Sequence, residues 1–168
     1  MEDIVKRRTA LKLAAASLVA GSLAIGTAQA GDTVKIGAVA PKTGPLAGGS
    51  TVTHWPNIHL WVHEVNARGG LKLKDGRKMI ELIEYDDQTN PGVHIKAAQR
   101  LATQDKVDFI VAPYGTGFNL ASAPIYAKHG YPQIAVSAIS DKIPELTKRY
   151  PGIFFTLGST TSFASAVS

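Results

Sequence analysis

Cysteine is absent from this sequence. Its absence excludes disulfides, thiolate metal sites and a lipid anchor on a mature N-terminal cysteine, while leaving the compartment open. Aromatic residues are few, at 7%, and the net charge of +5 over 168 residues is mild. Beyond Lys12 the basic residues are scattered. A nucleic-acid surface needs a basic stripe with aromatic partners, so none is expected. A run long enough to span a bilayer is also missing: the apolar stretch 13–25 falls short of the ~20 residues required. Internal repeats are lacking too. What remains is 45% hydrophobic and 18% charged, ordinary for a globular protein, and one domain is the expectation.

The N-terminus reads as an export signal. Lys6, Arg7, Arg8 and Lys12 make a positive region, 13–25 is apolar, and Ala28-Gln29-Ala30 has the small-x-small pattern of a cleavage site. KRRTALK resembles a twin-arginine signal, although Ala10 stands where an aromatic residue is usual, so the general secretory route stays open. Cleavage after Ala30 is expected, giving a signal peptide over 1–30 and a mature, periplasmic domain over 31–168.

From there strands and helices alternate. Strands are expected at 33–39, 78–85, 109–112, 133–136 and 153–156. Residues 40–53 read as a loop. A helix over 54–67 carries Pro56 in its first turn and stops at Arg68-Gly69-Gly70. Asn90-Pro91 pairs an N-cap with proline at the first helical position, opening a helix to about 105. Thr160 or Thr161 can cap a last helix. Such alternation predicts an α/β fold with a doubly wound, mostly parallel sheet of order 2-1-3-4-5. Ligands in these sheets sit beyond the carboxyl ends of the strands, where the order reverses. The loops meeting there are 42–50, 113–119 and 137–141.

The middle loop follows the most apolar strand. VDFIVAPYGTGFN begins with a run in which no polar residue alternates, so it reads as a strand buried on both faces. Pro113 ends it, Tyr114-Gly115-Thr116-Gly117 turns, and a helix follows. Free N–H groups at such a helix start attract anions, including a carboxylate.

Taken together, KIGAVAPKTGPLAGG, VNARGG, ELIEYDDQTNP and PQIAVSAISDKIPELTKRYPGIFFTLGST resemble the leucine/isoleucine/valine-type periplasmic binding proteins, over essentially 34–168. The resemblance implies the first lobe of a type I two-lobe receptor, apparently truncated. It also implies a small-molecule ligand (an amino acid or analogue), an ABC permease as partner, no cofactor and no catalysis. It places a ligand carboxylate on Gly115 and Thr116, and a ligand ammonium at Ile139, Ser140 and Asp141. Relatives cover the ligand with an aromatic residue from the loop after strand 1. Here Gly49 or Ser50 stands there, and Tyr114 or Trp55 are the substitutes.

Other constellations have plainer readings. Gly115-x-Gly117 is followed by Leu120, which breaks the dinucleotide fingerprint G-x-G-x-x-G. Residues 44–51 have phosphate-loop spacing, with Ser50 in place of the lysine. His59 and His63 share a helix face without a third metal ligand. Asp86-Asp87 could hold a cation or work as an acid/base pair, but the same residues turn a chain off a strand, and that is the favoured reading. Ser137 and Ser140 lack an evident histidine partner for nucleophilic chemistry. Two rivals to the solute receptor are an extracellular sensory domain of the same fold and a flavodoxin-like enzyme. The enzyme wants Ser/Thr where Pro41, Gly44 and Pro45 dominate.

Overall fold

The computed structural model describes residues 33–165. The expected signal segment 1–30, with Ala28 and Ala30, lies outside the described residues.

Strand β1 (Thr33–Ala40) pairs in parallel with β3 (Gly76–Asp86) on one side and β4 (Phe109–Val111) on the other. Helix α1 (Ala47–Thr53) and helix α2 (Trp55–Ala67) lie between β1 and a short strand β2 (Leu71–Leu73). Pro56 sits in the first turn of α2, as expected, where no intrahelical N–H bond is lost. Helix α3 (Pro91–Arg100) follows β3, and Asn90 caps it by accepting from the amides of Gly92 at 2.8 Å and Val93 at 3.1 Å. It continues as a wider π turn over Leu101–Asp105. After β4 come α4 (Thr116–Lys128), β5 (Gln133–Ala135), α5 (Ile143–Arg149), β6 (Ile153–Phe155) and α6 (Thr160–Ser165). Ser159, rather than Thr160 or Thr161, supplies the side-chain acceptor at the start of α6, receiving the Ser162 amide at 3.1 Å. Among the described residues, no helix is long and apolar enough to cross a membrane.

The fold is α/β with mostly parallel pairing, as the alternation predicted. The sheet differs in three places. First, β2 adds an antiparallel edge to β3, joined by a tight turn at Lys74-Asp75. Second, residues 40–53 are not all loop, because α1 forms within them. Third, the ladder is interrupted: β2-β3-β1-β4 form one sheet and β5-β6 another. Proline at 113 has no N–H to offer where β4 would continue beside β5. Side chains close that seam instead. The Ser137 hydroxyl donates to the Pro113 carbonyl at 3.2 Å and accepts the Gly115 amide at 2.9 Å. Thr116 Oγ1 donates to the Ile139 carbonyl at 3.3 Å and accepts the Ile139 amide at 3.1 Å.

Two apolar layers flank the sheet. Toward α3 and α4 they gather Val39, Ala98, Leu101, Val107 and Tyr126. Toward α2 they gather Val34, Ile36, Ile80, Ala38, Ala40, Trp55 and Ile58. The α2 layer stops short. Phe109 on β4 is 53% exposed, Ile134 on β5 56% and Phe154 on β6 55%. Ile134 pairs in register with Phe154, and Phe109 with Ile36, whose side chain packs under α2. The expectation that β4 is buried on both faces therefore fails. A single helix spans β1 and β3, and none of the described elements lies over the neighbouring strands on that side.

Candidate functional site

The carboxyl ends of β1, β4 and β5 converge on the turn from Pro113 to Gly115. Gly115 has φ 92° and ψ 148°. That positive φ is unfavourable for any residue with a Cβ, and it swings the chain directly into α4. The Gly115 amide is taken by Ser137. The amides of Thr116, Gly117 and Phe118 occupy the first turn of α4, where a helix offers no carbonyl partner. They and the positive end of the helix dipole form the anion-attracting feature.

The residues singled out from sequence come together only in part. Tyr114, Gly115, Thr116 and Ile139 meet at the seam. The Thr116 hydroxyl is engaged both ways by Ile139, so a ligand meets it as part of a pair. The Ser140 hydroxyl accepts the Lys142 amide at 3.2 Å. Asp141 is exposed, and its Oδ1 accepts from the Thr161 amide at 3.0 Å and hydroxyl at 2.9 Å. Those two hydrogen bonds hold its carboxyl below the usual carboxylate range. Asp141 thus ties the loop after β5 to α6.

The two candidates for covering a ligand separate cleanly. Trp55 is buried at 4% exposure, and its indole N–H donates to the Pro41 carbonyl at 3.2 Å. It belongs to the core. Tyr114 is half-buried and leans over Gly49, where a Cβ would lie 2.2 Å from the Tyr114 hydroxyl oxygen. Any side chain at 49 displaces that ring. Glycine there and tyrosine at 114 are therefore one feature, which sets the wall between the loop after β1 and the start of α4. Behind Tyr114, edge-on at 6.1 Å, sits His54. Burial pushes its imidazole below the usual value, with the charge of Asp87 opposing.

Asp86 and Asp87 act as turn builders. Asp86 accepts from the Lys42 amide at 2.8 Å, the Thr43 hydroxyl at 2.7 Å and the Gln88 amide at 2.8 Å, fastening the loop after β1. Asp87 is fully buried, accepting from His94 Nδ1 at 2.9 Å and the Thr89 amide at 2.9 Å. His59 bonds Glu84, which also pairs with Lys42 at 2.6 Å, and His59 stacks on Trp55. Among the described residues no group of metal-ligating side chains is assembled.

Residues 33–168 match the family described as periplasmic binding protein. The chain belongs to that family. A leucine-, isoleucine-, valine-, threonine- and alanine-binding protein of Pseudomonas aeruginosa is 29% identical over 148 residues, covering 88% of this chain and 37% of the relative. Among solved structures, the branched-chain amino acid substrate-binding protein LivJ of Streptococcus pneumoniae, in complex with isoleucine, is 31% identical. Its TM-score is 0.66, with 76% of this chain and 34% of that one covered. A solute-binding protein of a Rhodopseudomonas palustris ABC transporter, in complex with 3,4-dihydroxybenzoic acid, is 29% identical with a TM-score of 0.58, covering 76% and 32%. The chain thus spans about a third of the length of these binding proteins. Sequence reasoning missed Asn119 and Gln133, two buried carboxamides behind the turn, because neither belongs to a motif with recognised chemistry.

Proposed function

We propose that this chain is the first ligand-binding lobe of a periplasmic solute receptor serving an ABC importer. Its cargo is a branched-chain amino acid or a related small amide or carboxylate, delivered to a permease in the inner membrane. The observation that carries this reading is the glycine turn at 113–115, which sets free helix-start amides at the carboxyl ends of three strands in a member of this family. The carboxylate lies against the Thr116 and Gly117 amides, with the Thr116 hydroxyl beside it. Tyr114 walls the ligand's side chain, and Ile139 and Ser140 line the opposite loop. Capture between two lobes and hinge closure then commit the ligand to transport.

Titration calorimetry tests the site in a chain extended by its second lobe. Thr116→Ala is expected to weaken binding by about 1–2 kcal/mol, the loss of a hydrogen bond that the hydroxyl gives a charged group by turning from its 3.3 Å contact with the Ile139 carbonyl. Asp141→Asn is expected to weaken leucine more than isobutyramide, because only leucine carries an ammonium. Equal losses would remove the ammonium role and favour a plain carboxylate, a reading that the tie from Asp141 to Thr161 already supports. Intact affinity in Thr116→Ala would move the carboxylate elsewhere.

Export belongs to the same reading. Arg7-Arg8 and Ala28-Gln29-Ala30 direct the chain to the periplasm and place Gly31 at the mature N-terminus. N-terminal sequencing of the exported protein is expected to start at Gly31. Recovery of Met1 on exported protein would refute cleavage. A block to export in the Arg7→Lys, Arg8→Lys variant would assign the twin-arginine route.

A further inference from the structure

The turn at 113–115 is held from behind by two side chains that never face the crevice. Asn119, one turn into α4, is fully buried. Its Nδ2 donates to the Pro113 carbonyl at 2.7 Å and to the Gly115 carbonyl at 2.9 Å. Gln133 reaches across from β5, 1% exposed, and its Nε2 donates to Asn119 Oδ1 at 2.9 Å and to the Asn119 carbonyl at 2.9 Å. The carbonyls of Pro113 and Gly115 are thereby drawn inward. An anion at the mouth of α4 faces N–H groups, while the negative ends of the 113 and 115 peptides are turned away and neutralised.

Gln133 also has a cost. Its Oε1 is buried with no partner. An unpaired buried acceptor is unfavourable, so the carboxamide carries a cost, and an apolar side chain in its place would only exchange that orphan for another at the buried Asn119 Oδ1. Its contribution lies in direction: it orients Asn119, and Asn119 fixes the turn.

We propose that Asn119 and Gln133 are positioning residues of the carboxylate site, aiming the first amides of α4 without touching the ligand. This rests on the reading that these amides receive a carboxylate. The test follows the Thr116 and Gly117 amides of the purified chain by NMR while sodium acetate is added, alongside thermal unfolding. Gln133→Met is expected to bind acetate about fivefold more weakly, on the scale of one modest hydrogen bond, with a melting temperature close to that of the parent, since one unpaired buried acceptor is exchanged for another. Faster hydrogen exchange at the Gly115 amide accompanies it. Asn119→Ala is expected to lose more, and also to melt lower. A Gln133→Met chain that binds acetate as the parent does would overturn the proposal alone. So would a lower melting temperature with unchanged affinity, which marks a purely structural role. A parent chain whose Thr116 and Gly117 amides ignore acetate would overturn the carboxylate reading, and the proposal with it.

Discussion

The purified chain is expected to self-associate at micromolar concentration, and Phe109→Ser, Ile134→Ser and Phe154→Ser together to return it to a monomer. These three side chains each stand more than half exposed on one face of β4, β5 and β6, and Trp61 and Val136 line a hollow with Val111 of β4. Two aromatic side chains of about 200 Å² and an isoleucine, each a little over half exposed, leave an uncovered patch on the order of 300 Å². That lies within the size of the largest patch on a typical monomer, about 300–600 Å². Pairing it with the same face of a second copy removes on the order of 600 Å² from water, worth on the order of 15 kcal/mol at about 25 cal/mol per Å². Association costs an estimated 4–15 kcal/mol, and a cost of about 7 kcal/mol leaves a net micromolar affinity. Among the described residues β6 pairs only with β5, and that open edge adds a second route to the same end. Light scattering across a dilution series decides the matter. A monomer at all concentrations would show that the face tolerates water, and an oligomer persisting in the triple variant would place the contact at the β6 edge. A longer polypeptide that lays its own helix on this face would abolish the association, and the three serines would then lower its stability.

The second large effect is expected from Asp87→Ala. Asp87 and His94 are both fully buried and bonded to each other, with Phe118 tilted against the imidazole at 4.8 Å. Asp87 also receives the Thr89 amide, in a turn where Gln88 and Thr89 have φ of 56° and 58°. Two successive non-glycine residues in the left-handed region cost about 1–2 kcal/mol each. Alanine at 87 leaves a buried imidazole N–H without an acceptor and releases the turn. A loss of about 3–5 kcal/mol is expected, a large part of the ~5–15 kcal/mol that holds a domain of this kind together. The double variant Asp87→Leu, His94→Leu is expected to recover part of it, since removing both partners removes the orphan. Urea unfolding measures both. A loss below about 1 kcal/mol in Asp87→Ala would mean that water reaches the imidazole on relaxation.

Much of this was legible in the sequence. Asn90-Pro91 announced α3, Arg68-Gly69-Gly70 stopped α2, and the aspartates at 86 and 87 read as a turn and are one. The anion-attracting turn at 113–117 was visible because proline and glycine punctuate the chain where a strand yields to a helix. Other features were hidden for physical reasons. Helix α1 is Ala-Gly-Gly-Ser-Thr-Val-Thr, whose propensities argue against it; it forms after a loop pinned by Asp86 and by the Thr89 hydroxyl, which receives the Leu46 amide at 3.2 Å. The β2 strand is three residues long and carries no alternation of its own. The apolar run in β4 signalled burial, yet a one-dimensional pattern cannot say whether a second layer arrives to cover it. Asn119 and Gln133 were overlooked because a carboxamide in a helix or strand looks like surface until the fold places it inside.

The seam between β4 and β5 carries a mechanical meaning. Within the β1 ladders, strands share load across several parallel backbone bonds, so the sheet resists shear as a stiff plate. Across the seam, hydroxyls and carboxamides from Ser137, Thr116 and Gln133 bridge the gap as separate stitches, each able to open alone. The plate is therefore jointed along the line of the proposed ligand site, and compliance is concentrated at the crevice while β1, β3 and β4 stay rigid behind it. A carboxylate bridging the Thr116 and Gly117 amides to the loop after β5 acts as a strut across that joint, stiffening the β5–β6 half against the rest of the sheet.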